Sequence, residues 1–224
     1  VVLIYYITDR RQFAGTDAER RAALLRTIRA AAVAGVDYIQ LREKDLGGRE
    51  LEGLAKEALK VVRSEGGARL LMNHRTDVAL AVGADGVHLT GNDVAASEAR
   101  AMAATAGRSA PFLIAASCHS AREVRLAESH GADFAVLAPV FEKVNVSGGI
   151  GLEELRRATQ KDRTPDMRVE AGDTRRSFAV FALGGVDVKR AAMCAAMGAA
   201  GIAGIRLFQQ GGDLGELVKA IRGI

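Results

Sequence analysis

Val82-Gly83-Ala84-Asp85-Gly86-Val87-His88-Leu89 is the stretch that decides the fold. Its glycine follows an apolar helical pattern, Asp77 to Val82, and precedes a short run with strand character, Gly86 to Leu89. A glycine in that position caps a helix and releases the chain into a strand. The same pattern recurs at Ala34-Gly35-Val36-Asp37, His130-Gly131-Ala132-Asp133 and Met197-Gly198-Ala199-Ala200. The first three glycines are evenly spaced, and the longer interval before Gly198 contains residues 160–177, which are polar, charged and without hydrophobic period. Even recurrence of a helix-to-strand junction marks a repeated strand-helix unit.

On either side of that junction the chain divides into eight such units. Strands are expected at Val2 to Ile7, Asp37 to Leu41, Leu70 to Met72, Gly86 to Leu89, Phe112 to Ser117, Phe134 to Ala138, Phe178 to Leu183 and Gly201 to Ile205. The helices between and after them are expected at Asp17 to Ala34, Arg49 to Arg63, Asp77 to Val82, Val94 to Thr105, Ala121 to His130, Leu152 to Thr159, Val188 to Ala196 and Leu214 to Arg222. Thr16 with Glu19 three residues later is a capping box for the first helix. Eight alternating units in 224 residues predict an α/β chain folded as a single (βα)8 TIM barrel spanning residues 1–224. The 160–177 stretch then joins a helix to the next strand, on the face away from the chemistry, and is expected to be a dispensable surface insertion.

Composition narrows the function. An apolar share of 49% is ample for one core, and a net charge of +4 with a sequence pI near 9.3 suits an anionic small molecule. Aromatics make up only 4%, which leaves little surface for stacking bases, so no nucleic-acid partner is expected. Cys118 and Cys194 join no metal-ligand spacing, consistent with a reduced cytoplasmic protein without a structural metal. The opening apolar run is short and followed by Thr8-Asp9-Arg10-Arg11, which reads as a buried strand rather than a signal peptide. No run reaches the ~18 apolar residues of a membrane span, so no membrane partner is expected. Assembly into a homo-oligomer is left open.

In a barrel of this kind chemistry collects at the C-terminal ends of the strands. The second strand ends Ile39-Gln40-Leu41-Arg42-Glu43-Lys44, and strand alternation turns Gln40, Arg42 and Lys44 to one side. A guanidinium fork, an ammonium and an amide on one face suit a phosphorylated ligand. The other ends supply Asn73-His74-Arg75, His88 to Asp93, Ser117-Cys118-His119-Ser120, Pro139 to Lys143, Gly184-Gly185 and Ile205-Arg206. Gly184 and Gly185 before a helix, with Arg206 one strand later, predict a second anion site roughly opposite the first. His88 lies inside a strand pattern and His130 at a helix C-terminus, and neither is assigned chemistry.

The ordered series Tyr-x-Ile-Thr-Asp, Ile-Gln-Leu-Arg-Glu-Lys, Asn-x-Arg-x-Asp, Gly-Ala-Asp-Gly-Val-His-Leu, Ser-x-His-Ser, Ala-Pro-Val-Phe and Leu-Gly-Gly-Val resembles the thiamin phosphate synthase family and its relative TenI, the thiazole tautomerase. The match runs from Tyr5 to Phe208 and excludes only the 160–177 stretch. The resemblance implies coupling of hydroxymethylpyrimidine diphosphate to thiazole phosphate with loss of pyrophosphate. The diphosphate leaves first, and the thiazole nitrogen captures the resulting pyrimidine cation. It further implies that Gln40 holds the pyrimidine, Arg42 and Lys44 hold the diphosphate, Asn73 and Ser117 add hydrogen bonds, Gly184 and Gly185 cradle the thiazole phosphate, and Asp93 ligates Mg²⁺.

Three positions depart from that pattern. His74 stands where the synthases carry an Asp that binds magnesium, and a neutral imidazole is a poor ligand for a hard cation. Glu142 to Gly149 replaces a Thr-x-Thr-Lys loop, with Lys143 as its available cation, and Arg206 replaces a small Ser. The tautomerase branch uses a histidine at the position of His119 for proton transfer, a task that suits imidazole. A tautomerase and a non-catalytic binder of phosphorylated ligands therefore stand beside the synthase as alternatives.

Overall fold

The eight expected strands close on themselves. The computed structural model describes residues 1–108, 110–141, 148–160, 178–210 and 212–224. Strands β1 (Leu3–Ile7), β2 (Tyr38–Leu41), β3 (Arg69–Asn73), β4 (Gly86–Leu89), β5 (Leu113–Cys118), β6 (Phe134–Leu137), β7 (Ala179–Leu183) and β8 (Gly201–Gly204) form a closed parallel barrel in sequence order. The barrel is sealed by β1 against β8, with Tyr5 opposite Ala203. Outside it lie α1 (Asp17–Ala34), α2 (Gly48–Glu65), α3 (Thr76–Val82), α4 (Ala96–Thr105), α5 (Ala121–Ser129), α6 (Gly151–Thr159), α7 (Val188–Ala196), α8 (Arg206–Gln209) and α9 (Leu214–Arg222). The single-domain (βα)8 expectation holds. The insertion expected at 160–177 lies, from residue 161 on, outside the described residues.

Alternation along each strand divides the core in two. Tyr5, Leu71, Phe134, Val136, Phe181 and Ala203 fill the barrel interior. Ile4, Tyr6, Ile39, Leu41, Leu70 and Met72 face outward into the layer shared with the helices. Four interior rings, Tyr5, Tyr38, Phe134 and Phe181, meet with centroids 5.0–5.9 Å apart, mostly edge to face. Gly201 opposite them has no room for a side chain, since a Cβ there would lie 2.3 Å from the Phe181 ring. The lower barrel is thus plugged, and a ligand can enter only from the C-terminal rim.

The recurring Gly-x-Asp has a structural reason at both residues. Gly35, Gly83 and Gly131 end their helices in the left-handed region. The aspartates then tie the strand ends. Asp37 accepts from the Ile4 N–H at 2.7 Å, Asp85 from the Leu70 N–H at 2.8 Å and Asp133 from the Ile114 N–H at 2.7 Å. Each also meets an arginine of a packed helix: Arg222, Arg63 and Arg100 respectively. Each acid satisfies the N–H of the second residue of the preceding strand and fastens a helix to that edge. In the fourth copy Ala200 stands at the Asp position, and its backbone alone bridges, to Val180 and Leu3.

Element boundaries moved by one or two residues at several ends. The helix expected from Val94 begins at Ala96, because the Ala95 N–H is bonded by the Glu98 carboxylate and so acts as the cap. The strand expected to run to Ile205 stops at Gly204, where the chain turns into the short α8. The Thr16 capping box is present, with Glu19 Oε2 2.7 Å from the Thr16 N–H.

Candidate active site

A cavity of about 770 Å³ opens at the C-terminal rim. Its wall contains Gln40 from β2 with Arg42 and Lys44 just past its end, Asn73 from β3, His88 from β4, Ser117 from β5 and His119 just after it, Gly184 and Gly185 after β7, and Arg206 at the start of α8. Nine candidate positions spread over most of the chain therefore meet in one space, joined by His88, which was not a candidate. Of the other two candidates, Lys143 lies outside the described residues, and Asp93 is not part of the wall, to which the neighbouring Thr90 and Gly91 contribute.

The β2 end is held by a residue the sequence did not single out. Gln40, Arg42 and Lys44 face the cavity, and the intervening Glu43 is buried on the opposite side. Its carboxylate accepts from Thr8 Oγ1 at 2.6 Å, from the Arg10 N–H at 3.0 Å and from Arg10 Nη1 at 3.4 Å. The Arg42 N–H donates to the same Thr8 hydroxyl at 2.9 Å. Burial pushes the Glu43 carboxyl up, against the lowering effect of Thr8 and Arg10. Arg10, itself buried, is further paired to Asp45 at 2.7 Å and Asp17 at 2.9 Å. The backbone that carries the two cations is thereby fixed from beneath.

The opposite wall is built from backbone. Gly184 and Gly185 both have positive φ, and a Cβ on Gly184 would lie 2.7 Å from Pro139 Cβ, so only glycine fits against that neighbour. Arg206 is placed by the strap between β8 and β1: Gln209 accepts from the Asp9 N–H at 2.8 Å and donates back to the Asp9 carbonyl at 2.8 Å.

Among the histidines, His119 Nδ1 lies 2.7 Å from the Ala138 carbonyl. A carbonyl only accepts, so the proton sits on Nδ1, and Nε2 of the neutral ring is left as an acceptor. His88, which the sequence left without a role, is fully buried between Tyr5 and Ser117 and lines the cavity. Burial first, then the neighbouring Arg42 charge, push its pKa down to about 3, so it is neutral at physiological pH. Its strand position, between apolar neighbours, hid it. The one available signal was that a histidine facing a barrel interior near the C-terminal end must find polar partners.

His74 takes a left-handed conformation, φ 57°, and its Nδ1 lies 2.7 Å from Asp93 Oδ1. The other Asp93 oxygen accepts from the Thr90 N–H at 2.6 Å and Thr90 Oγ1 at 2.9 Å. Both carboxylate oxygens are thus engaged, and an imidazole occupies the place where a hard cation needs another oxygen. Among the described residues no group of three His, Cys, Asp or Glu side chains could hold a metal ion. The side chains present at Asp93 do not fit a resident Mg²⁺. The two cysteines are free and buried, and burial pushes the Cys118 thiol up to about 12.

The sequence profile of the thiamine monophosphate synthase family matches residues 4–208. The chain belongs to the thiamine monophosphate synthase family. It is 35% identical to the thiamine-phosphate synthase of Methanoculleus marisnigri, over 87% of this chain and 84% of that protein. It is 32% identical to the thiamine-phosphate synthase of Syntrophomonas wolfei, over 99% and 95%. Among solved structures it resembles the thiamine phosphate pyrophosphorylase from Pyrococcus furiosus, with a TM-score of 0.76 and 28% identity over 99% of this chain and 94% of that one. No helix among the described residues is long and apolar enough to cross a membrane.

Two outcomes follow from this family member's own geometry. Glu43→Ala leaves Arg10 partly unpaired in a buried place and is expected to cost about 3 kcal/mol in urea denaturation. Glu153→Ala, which removes an exposed pair with Arg156, leaves the midpoint nearly unchanged. A Glu43 loss no larger than the Glu153 loss contradicts the clasp. His74→Asp places a second carboxylate beside Asp93, and calorimetric binding of pyrophosphate is expected to become more Mg²⁺-dependent than in the wild type. Equal Mg²⁺ dependence in both contradicts the reading of His74 as the residue that closes the metal position.

Proposed function

We propose that this chain couples hydroxymethylpyrimidine diphosphate to thiazole phosphate, releasing pyrophosphate and forming thiamin phosphate. The observation that carries this is the meeting of Arg42 and Lys44 with Gln40 on one wall and the Gly184-Gly185 backbone with Arg206 on another, in one rim cavity. Two phosphorylated ligands can then be held at once, each with its anion against a separate set of donors.

The C–O bond between the pyrimidine methylene and the diphosphate breaks first, and its electron pair leaves with the diphosphate. The methylene cation that remains is delocalised into the aminopyrimidine. The thiazole ring nitrogen then donates its lone pair to that carbon, forming the C–N bond and leaving the positive charge on the thiazolium. No proton is lost from either reacting atom, so the step needs charge stabilisation on the leaving group more than a base. Arg42 supplies a fork of N–H donors and Lys44 a point charge where the negative charge develops. Gln40 and Ser117 orient the pyrimidine diphosphate, and Asn73 adds a further amide on the same wall.

A second reading, isomerisation of a thiazole phosphate, is favoured by His119, whose Nδ1–H bond to Ala138 leaves Nε2 able to accept a proton. The two are separated by incubating the protein with each substrate alone and with both. Thiamin phosphate and pyrophosphate in equal amounts are expected only with both substrates, and Arg42→Ala is expected to lower turnover by at least ~100-fold, in line with loss of a transition-state donor. Isomerised thiazole phosphate without coupled product overturns the synthase reading in favour of the second.

A further inference from the structure

Four polar side chains from four strands are joined end to end along the cavity wall. Gln40 Nε2 donates to Tyr5 Oη at 3.1 Å, Tyr5 Oη lies 3.0 Å from His88 Nδ1, and His88 Nε2 lies 2.8 Å from Ser117 Oγ. Tyr5, Gln40 and His88 are all buried. The chain has a direction. The Tyr5 oxygen already receives the Gln40 amide, so its single hydrogen is directed to His88 Nδ1. A nitrogen that accepts a hydrogen bond is bare, so the neutral imidazole carries its proton on Nε2 and donates to Ser117 Oγ.

The consequences lie at the two ends, which both line the cavity. Because Ser117 Oγ accepts from His88, its own hydrogen is released for a ligand. Gln40 directs an Nε2 hydrogen at Tyr5, and its carbonyl oxygen, which accepts from no group among the described residues, is open to a ligand. Burial raises the Tyr5 hydroxyl far above its ordinary range and holds His88 uncharged, so neither group ionises near neutrality and the polarity of the chain does not change.

We propose that His88 is a positioning residue which, as the Nε2–H tautomer, fixes the Ser117 hydroxyl as a donor into the cavity while the Tyr5 end fixes Gln40 as an acceptor. Resting on the synthase reading, the wall then discriminates ligand groups by hydrogen-bond polarity. At Ser117 it takes an atom that only accepts, such as a diphosphate oxygen. At Gln40 it takes an N–H, such as the exocyclic amine of the pyrimidine.

The test has two arms, neither of which requires turnover. In protein labelled with ¹⁵N-histidine, the His88 resonances, identified by their loss in His88→Gln, are expected to show the proton on Nε2 and a bare Nδ1 at neutral pH. A proton on Nδ1, or on both nitrogens, overturns the proposal. Pyrophosphate binding is then measured by calorimetry, with the melting temperature of each variant recorded. Ser117→Ala and His88→Leu are each expected to weaken binding about tenfold, as for one lost bond to a charged group. The double variant is expected to weaken it no further. His88→Gln, whose amide nitrogen can still donate toward Ser117, is expected to recover most of the affinity. Additive losses, or a His88→Gln variant as weak as His88→Leu at an equal melting temperature, overturn the proposal. Should His88→Leu not fold, the labelled wild type and His88→Gln still decide it. Failure of the coupling assay with both arms upheld would remove the synthase reading and leave the polarity of the wall standing.

Discussion

The Glu43 carboxylate, buried against Thr8 and Arg10, is the interaction on which the rim depends. A strand end bearing two cations has no intrinsic reason to stay in place, since Arg42 and Lys44 repel one another and long side chains lose entropy when they are ordered. Glu43 counters both effects at once. It sets the alternation that turns its two neighbours into the cavity, and it anchors the loop to the turn that follows β1. Arg10 in turn reaches Asp17 at the start of α1 and Asp45 beyond β2, so one buried guanidinium joins three segments. A buried pair of this kind is weak evidence for net stability compared with an apolar substitute. Its value here is positional, because it orients charges that would otherwise wander.

Beneath that clasp, barrel closure dictates where chemistry can occur. The aromatic interior around Tyr5, Tyr38, Phe134 and Phe181 leaves no path through the barrel, and Gly201 is the concession that lets Phe181 fill it. Tyr5 belongs to both layers. Its ring packs in the plug, while its hydroxyl is the middle of the polar chain that ends at Ser117. The packing of the core and the hydrogen-bond polarity of the cavity wall are therefore linked through one side chain.

Much of this was legible in the sequence, for identifiable reasons. The Gly-x-Asp recurrence exposed the strand-helix period, and the polar strand ends exposed the rim, because both are local patterns. Gln40, Arg42, Lys44, Asn73, Ser117, His119, Gly184, Gly185 and Arg206 do converge. What stayed hidden depended on partners distant in sequence. Glu43 and Arg10 carried no assignment, and His88 read as a residue inside a strand. Their meaning lies in Thr8, Tyr5 and Ser117, which only closure of the barrel brings near. His74 was recognisable as a departure from the family pattern, but its bond to Asp93 required the left-handed turn at residue 74. The four-residue α8 is too short to show a period, so Arg206 was read as a strand end rather than a helix start.

In the proposed reaction the β2 end holds the diphosphate of a pyrimidine substrate in the rim cavity. A crystal structure with a non-reactive analogue of hydroxymethylpyrimidine diphosphate tests it most directly. The diphosphate is expected against Arg42 and Lys44, with the pyrimidine amine at Gln40 Oε1. Diphosphate density on the Gly184-Gly185 backbone, or a pyrimidine ring lying away from Gln40, would contradict it.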